Sequence, residues 1–255
     1  AQGGRLNTDF IDNSAGVDCS DNEVNIKIPL NREMNEGRLE FEARNELLIS
    51  MTEDVAALVL EDNRLQTLAL SLAERDGAKG LPSQVRVIEI LENGDRIDRQ
   101  VEGLGANEEL LRRRNDNRGL TRPELSVLLA HSKLTLQDAV ESTTLPDDEL
   151  LEPLLYEAFP PAMREQFGEA IGNHRLRREI IATKIANRVV NRLGFVMPFE
   201  LSEEEGVGLS RVATAYFTAE KLFDLESLWT QLEQAEIGEV ERLRLFTMAQ
   251  DNLRF

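Results

Sequence analysis

The chain has 255 residues, of which 41% are hydrophobic, 47 are acidic and 29 are basic, and its formal net charge is -18. This length and hydrophobic content can supply a sizeable core, in one large domain or two ordinary ones. The negative charge argues against a chain-wide affinity for nucleic acid or for an anionic membrane, so any anionic partner must meet a local basic patch.

Cys19 is the single cysteine, which excludes a disulfide within the chain and indicates a reducing compartment. The sequence has no apolar run of the roughly 20 residues that span a bilayer, and no basic segment followed by an apolar core at its start. We therefore expect a cytoplasmic protein without a membrane segment. The chain starts at Ala1 without a methionine, and we interpret it as a piece of a longer polypeptide.

Apolar residues recur at helical spacing nearly everywhere after Arg38, and glycine or proline separates the stretches, which predicts a mainly α fold. The helices predicted in the first half cover 40–73, as one helix or as two joined near Thr52, then 82–93 and 107–114. Gly77 and Gly80 end the first of these. The alternation in QVRVIEI leaves a strand open as an alternative for the second. The first ten residues are expected to be irregular.

The sequence Thr-Arg-Pro-Glu at 121–124 is a capping box that opens a helix over 123–132. A proline-initiated helix follows in LPDDELLEPLLYEAFPP, and further helices are predicted over 163–171, 174–193 and 240–253. Ser202 and Glu205 form another capping box before a helix toward Phe223. Asp224 caps a helix through Leu232.

Sequence motifs for common catalytic sites are missing. The chain has no Gly-x-Gly-x-x-Gly after a strand, no phosphate-binding Gly-x-x-x-x-Gly-Lys-Ser/Thr, and no cysteine and histidine cluster with metal-ligand spacing. His131 and His174 lie far apart and without a nearby cysteine. We interpret both as ordinary surface or core-edge residues rather than as ligands or bases.

The stretch from Asn13 to Glu23 is the most site-like part of the chain. Small residues follow Asn13, so a flat ring could approach the backbone while the Asn13 amide offers a donor and an acceptor to a carboxamide. Ser20 and Glu23 match a capping box, which predicts Ser20 at a helix N-terminus that could bind a carboxylate. The alternative is that Ser20 is only a cap.

Four long blocks of the chain are similar to bacterial NAD-specific glutamate dehydrogenases of the large-subunit class. They are GGRLNTDFIDNSAGVDCSDNEVNIKI, MTEDVAALVLEDNRLQTLALS, GLTRPELSVLLAHSKL and HRLRREIIATKIANRVVNRLG. The resemblance covers essentially the whole chain. It implies that residues 1–38 are the end of an α/β dinucleotide-binding catalytic domain, and that residues 39–255 form the helical C-terminal domain that follows it.

The resemblance also implies roles for two residues. Asn13-Ser14-Ala15-Gly16-Val17 resembles the Asn-Ala-Gly-Gly-Val segment of shorter glutamate dehydrogenases, so Asn13 lies beside the nicotinamide of NAD and Ser20 contacts the side-chain carboxylate of glutamate. Ser14 and Ala15 depart from the Ala-Gly of that pattern, which affects the ring contact. The catalytic Lys and Asp have no match in this chain, and they are expected upstream of it.

The segment from His174 to Leu193 carries six basic residues and one acidic residue, a local charge of +5. A nucleic-acid interface would use such a surface to follow phosphates. The segment also carries a continuous apolar stripe and no interleaved aromatic residue, which favours a core helix whose basic residues pair with acidic residues elsewhere. We therefore expect no nucleic-acid partner.

Two classes of function remain on this basis. The first is a segment of an NAD-dependent glutamate dehydrogenase, which oxidatively deaminates L-glutamate to 2-oxoglutarate and ammonia, and whose fragment is structural or regulatory and inactive alone. The second is an independent helical module for interaction or oligomerisation. For the whole protein we expect a homo-oligomer.

Overall fold

The computed structural model describes residues 6–254, apart from the side chains of residues 14 and 15. Within this range the chain forms thirteen α-helices and two short 3-10 turns, with no strand. The mainly α prediction is confirmed. QVRVIEI is helical, so the strand alternative for that segment is wrong.

The first half of the chain forms six of these α-helices. They are α1 (Asp9–Asp12), α2 (Ser14–Asn35), α3 (Phe41–Ser50), α4 (Thr52–Asn93), α5 (Asn107–Asn115) and α6 (Arg122–Glu141). Residues 6–8 are irregular, but α1 makes residues 9 and 10 helical, which corrects the expectation for the first ten residues. Residues 1–5 lie outside the described range. The joint predicted near Thr52 is present, because α3 ends one residue before Met51 and α4 begins directly after it.

Gly77 breaks α4 into two parts. Its φ is +51° and its ψ is -135°, a conformation that only glycine adopts easily, and so the axis changes direction there. The predicted helix over 82–93 is the second part of α4. The predicted stop at Gly77 is therefore confirmed, whereas the one at Gly80 is wrong, because helical turns resume directly after Gly77 and include Gly80.

The helices of the second half follow two 3-10 turns at Leu145–Asp147 and Glu149–Leu151. They are α7 (Glu152–Glu157), α8 (Pro161–Gly172), α9 (Arg177–Leu193), α10 (Met197–Glu205), α11 (Leu209–Phe223), α12 (Leu225–Gln234) and α13 (Glu239–Asn252). The single helix predicted in LPDDELLEPLLYEAFPP is wrong in its first part. Asp148 accepts a hydrogen bond from the backbone N–H of Leu150 at 2.9 Å, and this local bond starts a second turn instead of continuing a helix.

The capping box at Thr121 is present, with Glu124 Oε2 accepting hydrogen bonds from the Thr121 backbone N–H at 2.7 Å and from its hydroxyl at 2.8 Å. The box predicted at Ser202 is wrong. Ser202 lies inside α10, its hydroxyl donates to the Val207 carbonyl at 2.6 Å, and Gly206 in the left-handed region ends the helix. Asp224 does precede α12, but no hydrogen bond from its side chain caps that helix.

The main hydrophobic core is built around α9, which packs mainly against α6 and also against α4, α7, α10 and α11. Residues of α9 such as Ile181, Ile185 and Val189 are fully buried in it. The N-terminal helices belong to the same core, since Ile26 and Leu30 of α2 are buried there and α2 packs on α4 and α8. Burial of this apolar surface is the main force that holds α2 in place.

A second, smaller core lies beneath the C-terminal helices. Its buried members are Leu72 of α4, Leu225 and Trp229 of α12, and Leu243 and Phe246 of α13. The Trp229 and Phe246 rings stack with their centroids 5.7 Å apart and their planes 3° from parallel. The guanidinium of Arg192 lies over the Trp229 ring at 5.7 Å, where a cation is attracted by the face of the ring.

Candidate functional site

Asn13 lies at the junction between α1 and α2, immediately before the first residue of α2, and it is exposed. Its carbonyl accepts a hydrogen bond from the Gly16 backbone N–H at 3.1 Å. A β-carbon placed on Gly16 would lie 3.6 Å from Asn13 Oδ1, so the Asn13 amide sits beside the backbone of Gly16. This arrangement leaves the Asn13 amide exposed at the surface.

Ser20 is not at a helix N-terminus, and the predicted capping box there is wrong. The residue lies in the second turn of α2, and its hydroxyl donates to the Gly16 carbonyl at 3.1 Å, as serine commonly does inside a helix. The side chain is exposed. It could donate to a carboxylate only after turning away from the Gly16 carbonyl.

Asn13 and Ser20 belong to one exposed face of α2. The spacing of Asn13, Val17, Ser20 and Val24 alternates between four and three residues, which places them on the same side of a helix. Val17 and Val24 are 67% and 52% exposed, so water meets two large apolar side chains there. We call these four residues the Asn13–Ser20 face.

The other side of α2 is fixed to the core. Beyond its buried apolar residues, the Asn25 carbonyl accepts a hydrogen bond from His174 Nε2 at 3.0 Å, while His174 Nδ1 accepts from the Leu176 backbone N–H at 3.0 Å. These partners define a neutral ring with its proton on Nε2. Burial lowers the pKa of His174, which maintains that state.

His174 is thus a core-edge residue that fixes α2 to the start of α9, as its sequence context predicted. His131 binds Glu102 Oε1 at 3.2 Å, also a structural contact. In residues 6–254 no group of histidine, cysteine or acidic side chains could hold a metal ion.

A cluster of charged residues lies behind the Asn13–Ser20 face and was not predicted from the sequence. It joins Asp18 of α2, Asp62 of α4, Lys133 of α6 and Lys184 of α9, with Lys184 Nζ 3.7 Å from Asp62 Oδ2. A cavity of about 300 Å³ adjoins it, and Asp18, Asp62 and Lys184 are among the residues that line this cavity. Because the four residues come from four helices, no spacing in the sequence brings them together.

The charges in this cluster are strongly perturbed. Burial and, to a smaller extent, the negative charge of Asp62 raise the pKa of Asp18 to about 6, although Lys184 opposes the shift. Burial lowers the pKa of Lys133 to about 8, and the two carboxylates oppose that change. Both groups are therefore poised to change protonation closer to neutral pH than usual.

The basic residues of α9 are paired within the chain, as their sequence context favoured. The ion pairs are Arg177 with Glu152, Arg178 with Asp147, Lys184 with Asp62, Arg188 with Glu157 and Glu220, and Arg192 with Glu233. These bonds connect α9 to five neighbouring segments. They leave little of its positive charge for a phosphate backbone.

Among the helices between residues 6 and 254, none is both long and apolar enough to cross a membrane.

Two family models match the chain. One is described as glutamate dehydrogenase, C-terminal, and matches residues 117–252; the other is described as bacterial NAD-glutamate dehydrogenase, catalytic domain, and matches residues 1–73. The second match includes the whole Asn13–Ser20 face.

Similar proteins include three that carry the name NAD-specific glutamate dehydrogenase. The protein from Pseudomonas aeruginosa is 44% identical over 92% of this chain, that from Halomonas elongata 42% over 91%, and that from Mycobacterium tuberculosis 39% over 92%. In each case the matched region is 14% of the relative. The chain thus spans about one seventh of the length of these relatives.

Proposed function

This chain belongs to the glutamate dehydrogenase family whose C-terminal model it matches, and from that premise we propose that it is part of an NAD-dependent enzyme that oxidatively deaminates L-glutamate to 2-oxoglutarate and ammonia. The single observation that carries the proposal is the Asn13–Ser20 face. It presents an amide and a hydroxyl on one exposed side of a helix that is firmly anchored on its other side.

We assign Asn13 to cofactor binding and Ser20 to substrate binding. When bound, NAD accepts the hydride from the substrate. An exposed side-chain amide beside Gly16 fits a carboxamide, because it can both donate to the carboxamide oxygen and accept from its nitrogen. The Ser20 hydroxyl can donate to the side-chain carboxylate of glutamate once it releases the Gly16 carbonyl.

The fragment alone is expected to be inactive. Hydride transfer needs the cofactor, the substrate carbon and a general base in one near-attack geometry, and we assign to this chain one contact on each of the two ligands and no base. We place the catalytic Lys and Asp in the upstream part of the enzyme, where they would lie against the Asn13–Ser20 face. Exposed Val17 and Val24 support such a contact, since an apolar helix face is usually covered.

We also propose that residues 1–38 close the catalytic domain, that residues 39–255 form a helical domain which supports α2, and that the enzyme is a cytoplasmic homo-oligomer of amino-acid catabolism. Leu222 and Phe223, 72% and 66% exposed at the end of α11, favour a further contact in the assembled protein. Light scattering of the full-length gene product measures the oligomeric state.

The test is NADH formation from glutamate and NAD, measured on the full-length gene product and on the isolated 255-residue chain. Ser20→Ala should raise the KM for glutamate and lower kcat/KM. The loss of transition-state stabilisation should be about 1–3 kcal/mol, the effect of losing a hydrogen bond to a charged group. Asn13→Ala should reduce kcat more than glutamate affinity, because it removes a contact that positions the nicotinamide ring for hydride transfer.

The matched control is Ser142→Ala. Ser142 is also an exposed serine whose hydroxyl donates to a backbone carbonyl, that of Ala139 at 2.9 Å, but it lies at the end of α6. Its kinetics should equal those of the unmodified enzyme. Turnover by the isolated chain, or unchanged kinetics in both the Ser20 and Asn13 variants, would contradict the assignment. If the full-length gene product forms no NADH from glutamate and NAD, the independent helical module is the better description.

A further inference from the structure

A second cavity lies where the break in α4 meets the end of α9. Its volume is about 210 Å³. Its lining includes residues from three helices, from the turn after α9 and from the residues after α13, namely Leu72, Asp76, Gln84, Phe195, Met197, Glu200, Asp251 and Arg254. None of them belongs to the Asn13–Ser20 face.

Among these side chains, Gln84 stands out because its buried amide has few hydrogen bonds. It is 2% exposed, and its Nε2 donates to the Ala73 carbonyl across a long distance of 3.5 Å. Its Oε1 has no hydrogen-bond partner in the described part of the chain. A buried amide oxygen without a donor is uncommon and destabilising, so a donor bound in the cavity beside Gln84 would be stabilised.

Two carboxylates at the mouth of the cavity favour a positively charged donor. Asp76 and Asp251 both line it, and neither side chain has an ion pair within residues 6–254. Arg254 also lines the cavity, but it is bound to Glu200 at 2.9 Å and to Glu204 at 2.7 Å. Unpaired negative charge therefore predominates near Gln84.

The end of α9 adds to the negative potential. Leu193 and Gly194 line the cavity, and they stand at the C-terminus of a 17-residue helix, where the helix dipole favours a cation. Leu72, Phe195 and Met197 form an apolar part of the wall, and the polar residues Ser83, Thr247 and Gln250 also belong to the lining. A ligand that fits should thus have a charged donor at one end and a short hydrocarbon part.

We propose that this cavity binds a primary alkylammonium compound, with its ammonium group between Asp76, Asp251 and Gln84 Oε1 and its alkyl chain against Leu72, Phe195 and Met197. The proposal concerns binding alone, and it holds or fails independently of the dehydrogenase activity.

The protonation of Asp76 supplies a second readout. Burial raises the pKa of Asp76, the charge of Asp251 raises it further, and Arg75 opposes the shift. Glu200 of α10 and Arg254 face the same space. Because an ammonium group favours the ionised carboxylate, binding should lower this pKa and release protons, and affinity should increase with pH as Asp76 ionises.

The test is isothermal titration of the full-length gene product with n-butylammonium chloride, with n-butanol as the uncharged probe of similar shape. Butylammonium should bind at millimolar concentrations or below, and butanol should not bind measurably. Asp76→Asn and Asp251→Asn should each weaken butylammonium about tenfold, the effect of one charge-assisted hydrogen bond. Titrations in buffers of different ionisation enthalpy measure the released protons, and these should disappear in Asp76→Asn.

Asp54→Asn is the matched control. It removes an aspartate from the first turn of the same helix, outside the lining of the cavity, and it should leave the affinity unchanged. Equal binding of butanol, equal loss in all three aspartate variants, or no binding of butylammonium would overturn the proposal. A crystal structure grown with butylammonium that holds only ordered water beside Gln84 would overturn it as well.

Discussion

Gly119 packs against the backbone of Gly77 at the break in α4. A β-carbon on Gly119 would lie 2.7 Å from both the carbonyl carbon and the oxygen of Gly77, a distance that real β-carbons do not show. The segment before α6 can therefore pack directly on the break in α4, because neither Gly119 nor Gly77 has a side chain.

Gly119→Ala should lower the free energy of unfolding by about 1–3 kcal/mol, because the backbone of α4 must move to admit a methyl group. The control is Gly238→Ala, at a position with φ of -64° and no atom within 4 Å of an added β-carbon. That change should alter stability by less than about 0.5 kcal/mol, because the poor N-cap preference of alanine offsets the gain from a less flexible unfolded chain. Chemical denaturation measures both, and equal midpoints would show that Gly119 does not contact Gly77 closely.

Thr121→Ala should reduce stability by about 1 kcal/mol, the usual effect of losing an N-cap residue. Glu124 would keep its bonds to Arg113, at 2.7 and 2.9 Å, so the rest of the network should remain. Thr214→Ala removes a hydroxyl that bonds the Ser210 carbonyl inside α11, and it should cost less, because alanine favours a helix interior. If the two variants unfold alike, the cap does not stabilise α6.

Arg188 should be one of the most important ion-pair residues for stability. It contacts Glu157 at 2.6 Å and Glu220 at 3.3 Å, and the Glu220 side chain is only 3% exposed. Arg188→Met should cost about 3 kcal/mol, because it leaves a buried carboxylate without its cation.

Arg244→Met is the control for Arg188. Its partner is Glu241 at 2.8 Å, and both side chains are about half exposed, so its loss should cost less than about 0.5 kcal/mol. Both values come from denaturant unfolding at neutral pH. Similar costs for the two arginines would mean that Glu220 is not desolvated by the surrounding helices.

Asp18 should make the protein less stable as the pH rises. Its pKa is raised from its ordinary value to about 6 by burial and by Asp62, so the folded state binds the proton more tightly than the unfolded state. The associated stability is full below the unfolded pKa near 3.8 and is lost as the pH rises to about 6. Asp18→Asn keeps the size and shape of the side chain but removes its titratable carboxyl group.

The Asp18→Asn variant should therefore be more stable than the unmodified protein at pH 7, by about 1–3 kcal/mol, and similar to it at acidic pH. Asp21→Asn serves as the control, since Asp21 lies one turn along α2 at the exposed rim of the same cavity. Unfolding free energies across this pH range provide the measurement. If the unfolding free energies of Asp18→Asn and of the unmodified protein change with pH in the same way, the carboxyl group of Asp18 is not buried.

Most helices after Arg38 were predictable because they combine an apolar stripe with a local start or stop signal. Thr121 and Gly77 are such signals, and both act as predicted. Ser20 and Ser202 match the same capping pattern inside longer helices, where a serine hydroxyl bonds a nearby carbonyl instead. A four-residue pattern cannot distinguish these cases, since only the surrounding packing decides where the helix begins.

The candidate site was predictable only in part. The resemblance selected Asn13 and Ser20, and helical spacing then explains their common face. The pairing of α9 with acidic residues followed from the excess of negative charge. The group of Asp18, Asp62, Lys133 and Lys184 could not be foreseen, because it depends on how four helices pack.

The smaller core beneath α12 and α13 also decides what optical spectroscopy can observe. Trp229 is the only tryptophan in the 255 residues, and it lies entirely within that smaller core. Its fluorescence therefore reports the opening of the last two helices, whereas far-UV circular dichroism follows the helices of the whole chain. If α12 and α13 detach first, the two unfolding curves will separate, and only coincident curves would justify a single two-state free energy for the chain.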